Sequence, residues 1–187
     1  MATGFKIDDR EGLYFITLQI VGWVDVFTRK IYRDIVIESL KYCQQHKGLD
    51  LFAYVIMSNH IHMLVQSQIG DLSGTIRDFK NYSSREIMEI IYNDNIESRK
   101  DWMRMVFEYH GKFKKKQERQ LWTHENHAEL LDSERFISQK LDYIHNNPVK
   151  SGIVQNPEDF LYSSAKNYAG MDGVIDVILL DVAWKTY

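Results

Sequence analysis

Hydrophobic residues along this chain fall into two kinds of pattern. Residues 13–22, LYFITLQIVG, are a run of aromatic and β-branched side chains, which predicts a strand buried on both faces. Thr28 is placed to cap a helix over 29–47, with Ile31, Ile35 and Tyr42 along one side and Gly48 as its stop. Next, LFAYVIMSNHIHMLVQ (51–66) holds two apolar runs around the turn-prone Ser58-Asn59 pair, a hairpin signature. Over 71–93 a helical stripe of Leu72, Ile76, Phe79, Ser83, Ile87 and Ile90 is bordered by a polar ribbon of Arg77, Lys80 and Ser84. Residues 93–120 are charge-rich and irregular, a loop or a short extra element. The stretch 121–131 predicts a last strand, and Asp132 or Ser133 caps a third helix that ends before Pro148, because the residue before proline disfavours the α conformation. Short patterned pieces follow, among them VIDVILLD at 174–181. The order strand–helix–hairpin–helix–strand–helix predicts an α+β, ferredoxin-like antiparallel sheet with helices on one face and a C-terminal extension.

Composition narrows the class. The 187 residues are 44% hydrophobic and 26% charged, the balance of a folded globular chain. No internal repeat or linker divides them, so one domain is expected over 1–187. The net charge of −3 excludes a strongly basic nucleic-acid binder, though not a local basic face. Cys43, the single cysteine, permits neither an intramolecular disulfide nor a cysteine-based zinc site and fits a reducing compartment. With no apolar leader and no apolar run near the roughly 20 residues that span a bilayer, the expected location is the cytoplasm, with no membrane partner.

Candidate chemistry begins in the hairpin. In Asn59-His60-Ile61-His62, the period of two puts His60 and His62 on one strand face and Ile61 on the other. Two convergent imidazoles hold a divalent cation while leaving coordination positions open; two surface histidines are the plainer alternative. In the third helix, Ile137, Leu141 and Ile144 form a core stripe, with Lys140, Tyr143 and Asn147 along its border. A tyrosine hydroxyl can attack a phosphodiester covalently, although its reference pKa of about 10 makes it a poor nucleophile until the phosphate is polarised. Asn147 offers a neutral oxygen as a third metal ligand, and Lys140 a charge to offset phosphate. Packing alone would account for one tyrosine among eleven, and turn chemistry for an asparagine before proline.

Taken together, YVIMSNHIHMLVQ (54–66), YIHNNPVKSGIV (143–154) and PEDFLYSS (157–164) resemble the single-tyrosine HUH transposases, and more narrowly the REP-associated tyrosine transposases. LYFITLQIVGW, IRDFKNYSSRE and LWTHENHAE fall in the matching places, so the resemblance spans about 13–165. It implies a ferredoxin-like, dimeric enzyme that cleaves and rejoins single-stranded DNA near hairpins with Mg²⁺ or Mn²⁺. His60, His62 and Asn147 would be metal ligands, and Tyr143 the nucleophile that leaves a 5′-phosphotyrosine and a free 3′-hydroxyl. DNA-contact candidates are Lys112, Lys114, Lys115, Lys116 and Arg119 around Phe113, then Arg77, Lys80 and Arg85, then Lys140 and Lys150. Tyr82, Trp122 and His124 are candidates for stacking on unpaired bases.

Two other readings stand beside this one. A non-catalytic nucleic-acid-binding module on the same fold has no need of His60, His62 and Tyr143 together. A metallohydrolase would activate water instead, with Glu125 or His127 completing the site.

Overall fold

The computed structural model describes residues 7–93, 97–112 and 118–182. Strand β1 (Tyr14–Gln19) leads through two short 3₁₀ turns to helix α1 (Lys30–His46). Strands β2 (Leu49–Ile56) and β3 (His60–Ser67) form the hairpin, closed by the Met57 amide donating to the His60 carbonyl. Helices α2 (Leu72–Asn93) and α3 (Lys100–Lys112), strand β4 (Glu129–Leu130), helix α4 (Glu134–Lys150) and the single turn α5 (Ala165–Tyr168) follow. The strands are ordered β2-β3-β1-β4, every neighbour antiparallel. This is the ferredoxin-like arrangement, in which β3 lies between β1 and the strand that α1 connects to it.

The pleat gives the sheet two different faces. Ile16, Leu18, Ile61, Met63 and Val65 are fully buried on the face covered by α1 and α2, each worth roughly 1.5–3 kcal/mol of hydrophobic burial. Phe15, Thr17, His60 and His62 alternate with them on the other face. The C-terminal extension lays α4 across that second face, so helices lie on both sides of the sheet.

Several local expectations are corrected. The buried side of α1 is Tyr32, Val36, Leu40 and Cys43, whereas Tyr42 is 54% exposed. Thr28 does not cap α1: Arg29 occupies that position, and the Thr28 hydroxyl donates to the Asp25 carbonyl. The span 93–120 contains α3, 13 residues with Met103, Phe107 and Gly111 buried at every fourth position. The strand expected over 121–131 is reduced to β4 and an isolated bridge between Ile20 and Trp122. Its middle stays bonded to β1 through the Thr123 amide to the Gln19 carbonyl and the Thr17 amide to the Asn126 carbonyl, but irregularly, with His127 at φ 37°; on its outer side the Lys80 ammonium takes the Thr123 carbonyl and the Asn126 side-chain oxygen, each at 2.7 Å. Helix α4 begins after Ser133, whose side chain makes no capping bond, and runs through Pro148 to Lys150. The proline is tolerated because it falls in the last turn, where only one backbone donor is lost and the chain closes with Ser151 donating to the Asn147 carbonyl. Residues 174–181 form no strand; the Ile178 amide instead donates to the Leu51 carbonyl. Further along the same β2 edge, the Ile56 and Ser164 amides bond the Tyr162 and Tyr54 carbonyls.

A buried ion cluster fixes the loop after β1. Glu97, with no solvent exposure, accepts from Arg99 Nε at 2.9 Å, from Arg29 Nε at 3.1 Å and from the Tyr32 hydroxyl at 3.1 Å. Burial pushes its pKa upward, but the bonds and charge of Arg99, aided by Tyr32, outweigh burial and hold it at about 2. A carboxylate held below its unfolded value stabilises the fold fully above pH 4.5 and loses that contribution as pH falls toward 2. Glu97→Gln should cost about 2 kcal/mol at neutral pH through the weakened charge-assisted bonds. Urea melts at pH 7 and at about pH 3 check this, since the deficit should shrink at the lower pH. No helix among the described residues is long and apolar enough to cross a membrane.

Candidate active site

β3 and α4 bring the two sequence motifs together. His60 and His62 share the open face of β3, their ring centroids 4.6 Å apart. From α4, the Tyr143 hydroxyl reaches within 3.4 Å of His62 Nε2 across 81 residues of sequence. Phe15 of β1 is a plate beside both: it stacks on His62 at 5.3 Å and meets the Tyr143 ring edge-on at 5.9 Å. The Lys140 ammonium lies 4.2 Å from the centre of the same ring and pairs with Glu129 at 2.7 Å. Because Glu129 is the β4 partner of Phe15, the β1–β4 register sets that ion pair beside the aromatic plate. Asn147 follows one turn after Tyr143, half-buried on α4.

Both imidazoles are oriented through Nδ1, and that of His60 is held in one tautomer. The Asn59 Nδ2 group donates to the Trp23 carbonyl at 3.3 Å and to Asp25 Oδ1 at 3.1 Å. Its Oδ1 must therefore accept, and His60 Nδ1, 2.7 Å away, is the donor. His62 Nδ1 lies 2.8 Å from Thr17 Oγ1 and donates to it when Nε2 keeps its lone pair. Burial lowers the pKa of His60, and burial, His60 and Lys140 lower that of His62 to about 3. Both rings are consequently neutral at physiological pH, with Nε2 available as a ligand. Among the described residues no third His, Cys, Asp or Glu joins them in a metal-binding cluster, so a third protein ligand would be a neutral oxygen. The donor set suits a divalent cation at an open site.

Thr17 and Asn59 are the residues that motif reading passed over. Their signal is only visible in register, since Thr17 is the β1 partner of His62. Thr17→Val should weaken Mn²⁺ binding about 10–100-fold, as loss of a bond orienting a ligating imidazole generally does. Calorimetric titration checks this, with Thr17→Ser expected to retain affinity. Arg99 adds remote support, because its Nη1 donates to the carbonyl of Asp25, whose carboxylate takes the Asn59 amide.

The DNA-contact candidates separate into groups. Lys140, Tyr143 and Lys150 line one open groove of about 600 Å³ beside α4. Arg77, Lys80, Arg119 and His124 line a second cleft of about 250 Å³ between α2 and residues 119–126. Lys80 is bound inward there, holding the segment outside β1. Arg77 pairs with Asp78, and Arg85 pairs with Glu86 while lying over Tyr82. Lys112 is exposed in the last turn of α3; Phe113, Lys114, Lys115 and Lys116 lie outside the described residues. Trp122 is buried, packed near Phe27 and Phe79 with its indole N–H donating to Ser83. Glu125 and His127 meet each other at 3.7 Å on the segment outside β1.

The chain is similar to known proteins in sequence and in fold. Residues 23–108 match the family model described as transposase IS200 like. A Haemophilus influenzae protein named for the REP-associated tyrosine transposases is 27% identical over 162 residues, covering 82% of this chain and 79% of that one. Among solved structures, a REP-associated tyrosine transposase bound to a REP hairpin superposes with a TM-score of 0.59 at 16% identity, over 100% of this chain and 99% of that one.

Proposed function

We propose that this chain, a relative of the IS200-like and REP-associated tyrosine transposases in sequence and in fold, cleaves and rejoins single-stranded DNA beside hairpins through a 5′-phosphotyrosine. The observation that carries this reading is the Tyr143 hydroxyl set against His62 Nε2, within one chain, at the mouth of a groove edged by Lys140 and Lys150.

His60 and His62 are the residues that would hold Mg²⁺ or Mn²⁺, and Asn147, one turn after Tyr143 on α4, is the candidate to add an oxygen. When bound, such a cation would supply the charge that polarises the scissile phosphate and stabilises the departing oxygen. Tyr143 Oη forms a bond to phosphorus as the bond from phosphorus to the 3′-oxygen breaks. The phenolic proton leaves to water, to which Tyr143 is 40% exposed, and the 3′-oxygen gains one from water. Lys140 and Lys150 offset phosphate charge along the groove, while Phe15 fixes the angle between the Tyr143 and His62 rings. The phosphotyrosine keeps the energy of the broken ester, so a 3′-hydroxyl reverses the step on the same or a new strand. The protein acts in the cytoplasm as a dimer in this reading, with the basic candidates on α2, α3 and α4 following the DNA backbone.

Labelled single-stranded DNA carrying the hairpins that flank its own gene, incubated with Mn²⁺ or EDTA and run on a denaturing gel, tests the proposal. A metal-dependent band retarded by the 22.2 kDa protein is expected. Hairpin binding with no adduct would replace the reading by a binding module, and cleavage without an adduct would assign water as the nucleophile.

A further inference from the structure

The turn after β1 carries a residue that the proposed chemistry does not use. Trp23 has φ 56°, in the left-handed region where a bulky side chain is an outlier, and it is 66% exposed. Strained backbone of this kind persists where the surroundings over-determine it, most often near functional sites. Here the surroundings are visible. The Trp23 carbonyl accepts from Asn59 Nδ2, the amide whose other end takes the His60 Nδ1 proton. The neighbouring Gly22 is closed over by α3: a Cβ there would meet Val106 Cγ1 at 2.8 Å and His110 Nε2 at 3.5 Å.

That face of α3 is aromatic at its solvent edge. At about 100° per residue, Trp102 and Tyr109 fall beside Val106, with Met105 next to them. They are 43%, 59% and 66% exposed respectively. Four large apolar side chains thus stand in water, three on α3 and one on the turn that α3 packs against and that fixes His60.

We propose that Trp23 and the Trp102–Met105–Tyr109 edge of α3 form a stacking platform for unpaired bases of the DNA strand that runs to His60. The inference rests on the single-stranded-DNA reading and extends it to a second site. Exposed rings offer π-faces that any base can cover without sequence readout. Lys112, exposed in the last turn of α3, supplies a phosphate contact at one end of the platform. The bonds that tie Trp23 through Asn59 to His60, and the packing of Gly22 under α3, select single-stranded DNA as the occupant over another protein surface.

The test uses the Tyr143→Phe background, so that cleavage does not consume the probe. Fluorescence anisotropy with labelled oligothymidylate should show binding weakened about tenfold by Trp23→Asn and again by Tyr109→Ser, since loss of one stacking ring is worth roughly that much. Asparagine tolerates the left-handed backbone, and Tyr109→Phe should retain affinity. Oligonucleotides carrying 5-iododeoxyuridine should photocrosslink to peptides containing Trp23 or Tyr109. Affinity within twofold of the parent in the folded Trp23→Asn/Tyr109→Ser protein would overturn the platform, and would leave the transposase reading intact if wild type still forms its adduct. A loss of self-association in sedimentation, with unchanged DNA affinity, would overturn it by assigning the face to a second copy. Wild-type protein that neither binds oligothymidylate nor forms an adduct would overturn both proposals.

Discussion

Tyr143→Phe should abolish the covalent protein–DNA adduct while leaving the fold and hairpin binding in place. The substitution removes one oxygen. The ring keeps its edge-on packing against Phe15 at 5.9 Å and against His62 at 5.1 Å. The lost contact to His62 Nε2, at 3.4 Å, is long for a hydrogen bond and costs well under ~1 kcal/mol of stability. The chemical loss is of another order. Removing a serine nucleophile from a hydrolase costs about 10⁶ in kcat, and removal of Tyr143 should likewise take adduct formation below detection. A denaturing gel with matched thermal melts separates these effects. Undiminished cleavage in Tyr143→Phe would transfer the nucleophile's role to water.

His62→Ala should be nearly as severe, for a different reason. It takes away one of the two imidazoles proposed to hold the cation and the ring that Phe15 and Tyr143 both pack against. Losing several kcal/mol of charge stabilisation on the transferring phosphate corresponds to a fall on the order of 10³-fold in cleavage. Because His62 is buried, the cavity also loosens α4 on the sheet, so a lower melting temperature is expected alongside. His62→Gln keeps more volume and makes the cleaner comparison. Hairpin affinity measured in EDTA should stay near the wild-type value in both variants. If Mn²⁺-dependent cleavage survived both substitutions, the histidine face would not be the metal site. Acid should not restore or abolish binding near neutrality: with the His62 pKa pressed to about 3 by burial, its proton competes with a cation only well below pH 6.5.

The parts of this arrangement that were legible in the sequence are those with local periodicity. Alternation in NHIH put both imidazoles on one face, and the helical count put Tyr143 and Asn147 a turn apart. The apolar stripe of α2 was equally readable, since Leu72, Ile76, Phe79, Ser83 and Ile87 are buried and Ile90 is partly buried against the core. Helix α3 was obscured because its inward seam is thin, while Trp102, Met105 and Tyr109 place apolar residues where the period requires polar ones. Side-chain destinations were beyond local pattern altogether. Lys80 reads as an outward base on a polar ribbon, yet its ammonium is satisfied by carbonyls more than 40 residues away. The Thr17 bond to His62 likewise exists only once β1 lies beside β3, and the Asn59 amide is turned toward His60 only by the Trp23 carbonyl and Asp25 carboxylate of the turn after β1.

The strapping of β2 by the C-terminal segment bears on assembly. An unpaired sheet edge is a template on which another chain can add a strand. Residues 162–178 occupy that template, with Tyr162, Ser164 and Ile178 using backbone groups of Ile56, Tyr54 and Leu51. Strand addition by a second copy along β2 would first have to strip the strap away. The opposite edge, where β4 contributes only two residues, offers too short a ladder to hold a partner by backbone pairing alone. A dimer of this protein would accordingly have to be built from side-chain surfaces of its helices and loops, leaving the sheet a closed unit within each copy.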